Sequence, residues 1–313
     1  MRRICKIMLG VAGCLTASAA ARAECTLNRL AELQVRMVGL RPLVAAKING
    51  TDAMFLVDSG AFFSIITSAN AARFGLHTSA LPGWFRLRGV TGDADASLAT
   101  VKAFGLAGAT FPGVEFIVGG GELSSEAAGV IGQNFLRIAD VEYDLANGAI
   151  RLMKPKGCER AMLAYWAKPD APISIVPIGS TDARAPFTIA AAMVNGAKIR
   201  VVFDSGAPTS IMTMSAARRA GIRIGGLGVE SAGMTGGFGK RMVRSWIAPI
   251  DSFEIGGEKV LRTRLRIGEI ELGNADMLLG DDFFLSNRIY VANSQHKSIS
   301  PTTVVRCSIF PRA

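Results

Sequence analysis

The chain has 313 residues, half of them hydrophobic, with 35 glycines and a formal net charge of +10. That length leaves room for two ordinary domains, each with its own core. So much apolar residue and glycine excludes a disordered chain and suits many short strands joined by tight turns.

Residues 1–23 read as an export signal. Arg2, Arg3 and Lys6 form a basic start, an apolar run from Ile7 to Ala20 follows, and Ala21-Arg22-Ala23 offers a small-x-small cleavage site. The run is short for a bilayer span and no other stretch is long enough. No stable membrane span is therefore expected after processing, and the expected location is periplasmic or secreted. Val11-Ala12-Gly13-Cys14 resembles a lipoprotein cleavage box, which makes anchoring at Cys14 the weaker alternative. The signal holds four of the basic residues and no acid, so the remainder carries about +6. Lys240, Arg241 and Arg244 form one basic cluster. Arg262, Arg264 and Arg266 form another, at a spacing that shares one strand face. Both read as solvated faces, and no nucleic-acid partner is expected.

Beyond the signal lie Cys25, Cys158 and Cys307. An exported chain can form disulfides, and a Cys25–Cys158 bridge is favoured over the other pairings, leaving Cys307 over. The histidines are His77 and His296, with no close Cys/His spacing, so no metal site is expected.

Thr26 to Leu40 is a lead-in without a clear period. A strand from Leu43 to Ile48 meets the hairpin signal Asn49-Gly50, and the return strand runs from Met54 through Val57 into Asp58-Ser59-Gly60-Ala61. A carboxylate at the end of a buried strand is costly unless it is satisfied or used. A short helix from Ser68 to Phe74 follows, capped by Thr67 or Ser68 and stopped by Gly75. Next come a glycine hairpin around Gly89 and Gly92, strands at Leu98 to Leu106 and Val114 to Val118, and the apolar run Val130-Ile131-Gly132. Val141 to Asp144, a turn at Asn147-Gly148 and a strand from Ala149 to Met153 close this half. Lys154 to Asp170 is a linker region with Trp166.

The second half repeats the order. Ile189 to Val194, Asn195-Gly196 and Ile199 to Phe203 lead into Asp204-Ser205-Gly206-Ala207. A helix from Met214 to Ala220 and a glycine hairpin from Gly233 to Gly239, holding Gly236 and Gly237, follow. Strands at Val243 to Ile250 and Thr263 to Ile267 precede Leu278-Leu279-Gly280. Between residues 49–75 and 195–221, 12 of 27 positions are identical without a gap, which marks an internal duplication and hence two lobes. Asp281 and Asp282 read as structural. Pro301 is expected to interrupt the closing strand.

Strand, Asp-Ser-Gly-Ala, glycine hairpin and apolar-apolar-Gly, present twice in order, resemble the pepsin and retropepsin group of aspartic proteases. They look closest to exported bacterial retropepsin-like proteins with two tandem lobes. The resemblance implies an all-β-dominated fold: two pseudo-symmetric β-barrel lobes, a short helix in each and a cleft between them. The lobes would cover residues 24–156 and 171–313, joined by a linker at 157–170. It assigns a catalytic dyad to Asp58 and Asp204, and turn support to Ser59, Gly60, Ser205 and Gly206. Flap-like hairpins fall at Gly89, Gly92, Gly236 and Gly237. Ile131, Gly132, Leu279 and Gly280 become the strands beneath the turns. It implies peptide or protein substrates, no cofactor, and a monomer acting as an intramolecular pseudo-dimer. A non-catalytic periplasmic binding or scaffolding protein that keeps this fold is the alternative. Serine nucleophiles fit less well, since neither histidine lies in a repeated context to act as base.

Overall fold

A computed structural model describes residues 25–85, 87–121, 126–168, 170–179, 188–239, 241–295 and, for the backbone alone, 297–301. The export signal, Cys14, Lys240, His296 and Cys307 lie outside the described residues. Among the described residues no helix is long and apolar enough to cross a membrane.

Each half of the chain closes a six-stranded barrel. In the first, the ring runs Pro42–Ile48, Thr51–Val57, Ala127–Ile131, Ile65–Ile66, Ala109–Gly119, Ala96–Leu106 and back to Pro42–Ile48. In the second it runs Ile189–Val194, Ala197–Phe203, Met277–Leu279, Ile211–Thr213, Glu258–Gly268, Val243–Ile255 and back to Ile189–Val194. Closure removes free sheet edges. Both opening hairpins turn on Asn-Gly, with φ positive at Asn49, Gly50, Asn195 and Gly196, as a two-residue primed turn requires. Each asparagine side chain then ties its turn to the neighbouring strand: Asn49 Oδ1 accepts from Ala103 N at 3.1 Å and Asn195 Oδ1 from Asp251 N at 2.8 Å.

The helices are short. Ser68–Arg73 and Met214–Arg219 are both capped by a threonine side chain, Thr67 and Thr213. The barrels fill with aliphatic and aromatic side chains, including the ring trio Phe55, Phe104 and Phe116 in one and Phe203, Phe253 and Phe283 in the other.

The lead-in is a full strand. Thr26–Met37 pairs antiparallel with Ala149–Lys156, so the linker begins after Lys156. These two strands continue, through Asp140–Asp144, into Ile289–Ala292, Lys297–Pro301 and Ile173–Pro177 from the second half. One six-stranded sheet thus spans both halves beneath the barrels. Its closing strand reaches Pro301, which stands at the strand's end. At the join, the fully buried Glu142 carboxylate meets Arg288 at 2.6 Å, Arg151 at 2.5 Å and the Tyr165 hydroxyl at 2.6 Å. The Arg288 guanidinium lies 4.5 Å from the ring centre of Trp166. A buried carboxylate is tolerable only with such partners. Cys25 and Cys158 form a disulfide, with Cα atoms 4.6 Å apart.

Within the basic clusters, Arg244 pairs with Glu269 at 2.6 Å and Arg264 with Glu230 at 3.0 Å.

Candidate active site

The two Asp-Ser-Gly turns end parallel pairs of buried strands and face each other where the barrels meet. In each lobe the strand that delivers the aspartate lies parallel to the apolar strand: Val57 pairs with Ile131, and Phe203 with Leu279. The Asp58 N–H donates to Ile131 O and the Asp204 N–H to Leu279 O, both at 3.0 Å.

The serines lock the turns across the interface. Ser59 Oγ donates to Phe203 O at 2.8 Å and accepts from Ser205 N at 2.9 Å. Ser205 Oγ donates to Val57 O at 2.9 Å and accepts from Ser59 N at 3.1 Å. Both serines are buried. Four reciprocal bonds leave the two turns one arrangement, since a buried polar group without its partner is costly.

Gly60 and Gly206 serve a purpose other than a tight turn. Neither has positive φ. A Cβ on Gly60 would lie 2.4 Å from Asp204 Cγ, and one on Gly206 2.3 Å from Asp58 Cγ. Each glycine is the floor against which the opposite lobe's carboxylate rests. Gly132 and Gly280 likewise leave room for backbone: their Cβ atoms would meet Phe63 O at 2.7 Å and Ala207 O at 2.6 Å.

Asp58 Oδ1 accepts from Gly60 N at 2.8 Å. Asp204 Oδ1 accepts from Gly206 N at 2.9 Å and Ala207 N at 3.2 Å. Burial, then the charge and hydrogen bond of Asp204, hold Asp58 well above the ordinary carboxylate range. Burial also raises Asp204, against the pull of its hydrogen bonds from Asp58, Gly206 and Ala207. Two carboxyls set so close disfavour double ionisation and tend to share one proton.

Two residues outside the expected set approach this centre. Ser64 and Ser210 hold equivalent places. Ser64 Oγ donates to Asn134 Oδ1 and accepts from Gly132 N, and Ser210 Oγ donates to Asp282 Oδ1 and accepts from Gly280 N. Asn134 and Asp282 are thus equivalent, and so are their neighbours Gln133 and Asp281. Gln133 Nε2 donates to Ser59 O at 2.7 Å. Asp281 is fully buried and neither carboxyl oxygen has a hydrogen-bond partner among the described residues. Burial first, then the charges of Asp204, Asp58 and Asp282, push it up to about 10, so it is a neutral acid at physiological pH. Tyr143 is the second. It is buried, with its ring centre 5.1 Å from that of Phe284, and burial pushes its hydroxyl up, with the Ser59 side chain opposing the shift. The signal for Asp281 was the broken equivalence with Gln133. For Tyr143 there was none, because it sits 85 positions from Asp58 on a strand of the shared sheet.

The two glycine segments form hairpins. Leu87–Gly89 pairs with Gly92–Ala94. Glu230–Thr235 pairs with Val243–Ile255, with Gly233 inside the first of these strands and Gly236 and Gly237 in the turn.

Comparison with known proteins agrees with this architecture. Residues 44–135 match a family model described as "Aspartyl protease". Residues 190–286 match one described as "gag-polyprotein putative aspartyl protease". Together the two matches cover more than half of the chain. No curated protein matches it.

Proposed function

The chain belongs to the aspartyl protease family, with two retropepsin-like lobes in tandem, and from that premise we propose that it is an exported aspartic endopeptidase whose dyad is Asp58 and Asp204. The observation that carries this reading is the reciprocal serine lock, which sets two buried carboxyls from opposite lobes against each other in a site where one proton must be shared.

In this reading the ionised Asp204 takes a proton from a water as its oxygen adds to the peptide carbonyl carbon. Asp58 gives its proton to the carbonyl oxygen. The resulting tetrahedral diol collapses as Asp204 passes its proton to the leaving amine and the ionised Asp58 takes one from a diol hydroxyl, which breaks the C–N bond, leaves a carboxylic acid and an amine, and restores the single-proton dyad. No covalent intermediate forms, as is general for aspartic proteases. Because both carboxyls are raised, activity should follow a bell in pH whose two limbs both lie above those of free carboxylates. The Cys25–Cys158 disulfide supports an exported enzyme. The two lobes of one chain would supply a complete site, so a monomer should suffice.

The test is cleavage of a peptide library by purified residues 24–313 across a pH series. Asp58→Asn and Asp204→Asn should each lower cleavage by about 10²–10⁴-fold while leaving thermal unfolding near that of the parent. Cleavage retained in either variant, or none by the parent at any pH, would overturn the assignment and favour a binding or scaffolding role.

A further inference from the structure

The two hairpins meet, and each sends an apolar side chain into the other lobe. Val90, at the tip of the first hairpin, packs against the second-lobe cluster containing Ile211, Ile270 and Leu278. Phe238, in the second-lobe turn, packs against the first-lobe cluster containing Ile65, Ile117 and Val130. Ala61, three residues beyond Asp58, borders the same first-lobe cluster. The crossing is close because glycine stands at each contact. A Cβ on Gly89 would fall 1.4 Å from Phe238 O, one on Gly120 2.3 Å from Phe238 Cε2, and one on Gly237 2.3 Å from Val90 Cγ2. Polar bonds fasten the crossing: Arg241 Nε donates to Thr91 O at 3.1 Å, and Glu271 N to Val90 O at 3.2 Å.

This exchange is unequal. Val90 is small and aliphatic. Phe238 is a large ring packed against the first-lobe apolar wall that Ala61 of the dyad turn also borders, at a place where Gly120 has no Cβ to meet it. A peptide lying in the cleft would present its own side chain to that wall. We propose that Phe238 fills, in the free protein, the first-lobe subsite that receives an aromatic side chain of the substrate, so that the chain is self-plugged and the second-lobe turn must lift for a peptide to bind. The proposal rests on the protease reading for the word substrate, but its physical content is competition between two rings for one place on that wall.

Binding separates the two. In an Asp58→Asn background, which removes cleavage from the measurement, calorimetry compares two unstructured peptides that differ in one residue, Phe against Ala. Phe238→Ala should tighten the Phe peptide about tenfold or more, as expected for vacating an apolar site of ring size, and should leave the Ala peptide within about twofold. Equal effects on both peptides, or weaker binding of the Phe peptide, would overturn the plug and make the turn an ordinary lid that holds substrate. If Phe238→Ala does not fold, Phe238→Leu should show the same selective gain at smaller size, and its absence there overturns the proposal. A plug supported by binding alongside a parent that cleaves nothing would leave this inference standing and remove the protease reading; the reverse pattern would do the opposite.

Discussion

Gln133 and Asp281 occupy equivalent positions beneath two otherwise matching turns, yet the Gln133 amide donates to the Ser59 carbonyl while the Asp281 carboxyl has no hydrogen-bond partner among the described residues. Their backbones agree: Gln133 N donates to Ala61 O at 2.9 Å and Asp281 N to Ala207 O at 2.8 Å. The lobes are therefore symmetric in hydrogen-bonded backbone and asymmetric in the group set against the dyad. An amide can donate to the turn at any pH. A carboxyl in the same place can do so only while protonated, and once ionised it would add a second negative charge beside the one the Asp58–Asp204 pair carries.

Asp281→Asn breaks that difference most directly. The folded carboxyl is raised to about 10 from an ordinary value of 3.8. Between those values the folded state holds a proton that the unfolded state has lost, so stability falls as pH rises. The slope approaches about 1.4 kcal/mol per pH unit. Asp281→Asn removes the slope. Urea unfolding at pH 5 and pH 8 should show the variant gaining on the parent by up to about 4 kcal/mol over that interval, with little difference near pH 4. A parallel pair of pH profiles would show that the carboxyl is not neutral in the folded protein.

Gly60→Ala and Gly206→Ala test the symmetric part. Each places a methyl against the facing carboxylate, so each should displace the opposite lobe's aspartate. A shift of about 1 Å costs on the order of 100-fold in cleavage rate, and the two variants should lose similar amounts in kcat measured on one peptide.

Ser59→Ala and Ser205→Ala sharpen the comparison further. Each strands one carbonyl and one N–H across the interface, and should cost about 2 kcal/mol in denaturant unfolding. Because the lock is reciprocal, the two losses should agree within about 0.5 kcal/mol. Asn134→Asp, which copies Asp282 into the first lobe, is the mildest change. It keeps the oxygen that accepts from Ser64 N and Ser64 Oγ, and unfolding free energy at pH 5 should move by no more than about 1 kcal/mol.

Much of this centre was readable from local pattern. Asn-Gly turns, apolar runs ending in Asp-Ser-Gly and capped short helices are each written within a few residues, and their repetition marked two lobes. The same turns gave the serine pairing its place. What could not be read lies in contacts between distant segments. Thr26–Met37 shows no clean alternation because it leaves one neighbour for another along its length, pairing first with Ala149–Lys156 and then with Pro42–Ile48. Asp282 and Asp281 looked alike as adjacent acids. Only packing separates them, giving the Asp282 carboxyl Ser210 as a partner and the Asp281 carboxyl none among the described residues. The glycines of the dyad turns were readable as glycines, but their reason, a carboxylate arriving from the opposite lobe, was not.

By itself the amino-acid order determined two repeated lobes of strands and the identity of the two turns, because strand period, primed turns and helix caps act over a handful of bonds. Tertiary structure alone decided which hydroxyl bonds which carbonyl across the interface, which acid loses its water, and where Phe238 comes to rest. Those outcomes depend on desolvation and on close approach between segments more than a hundred residues apart, and neither quantity exists until the lobes have met.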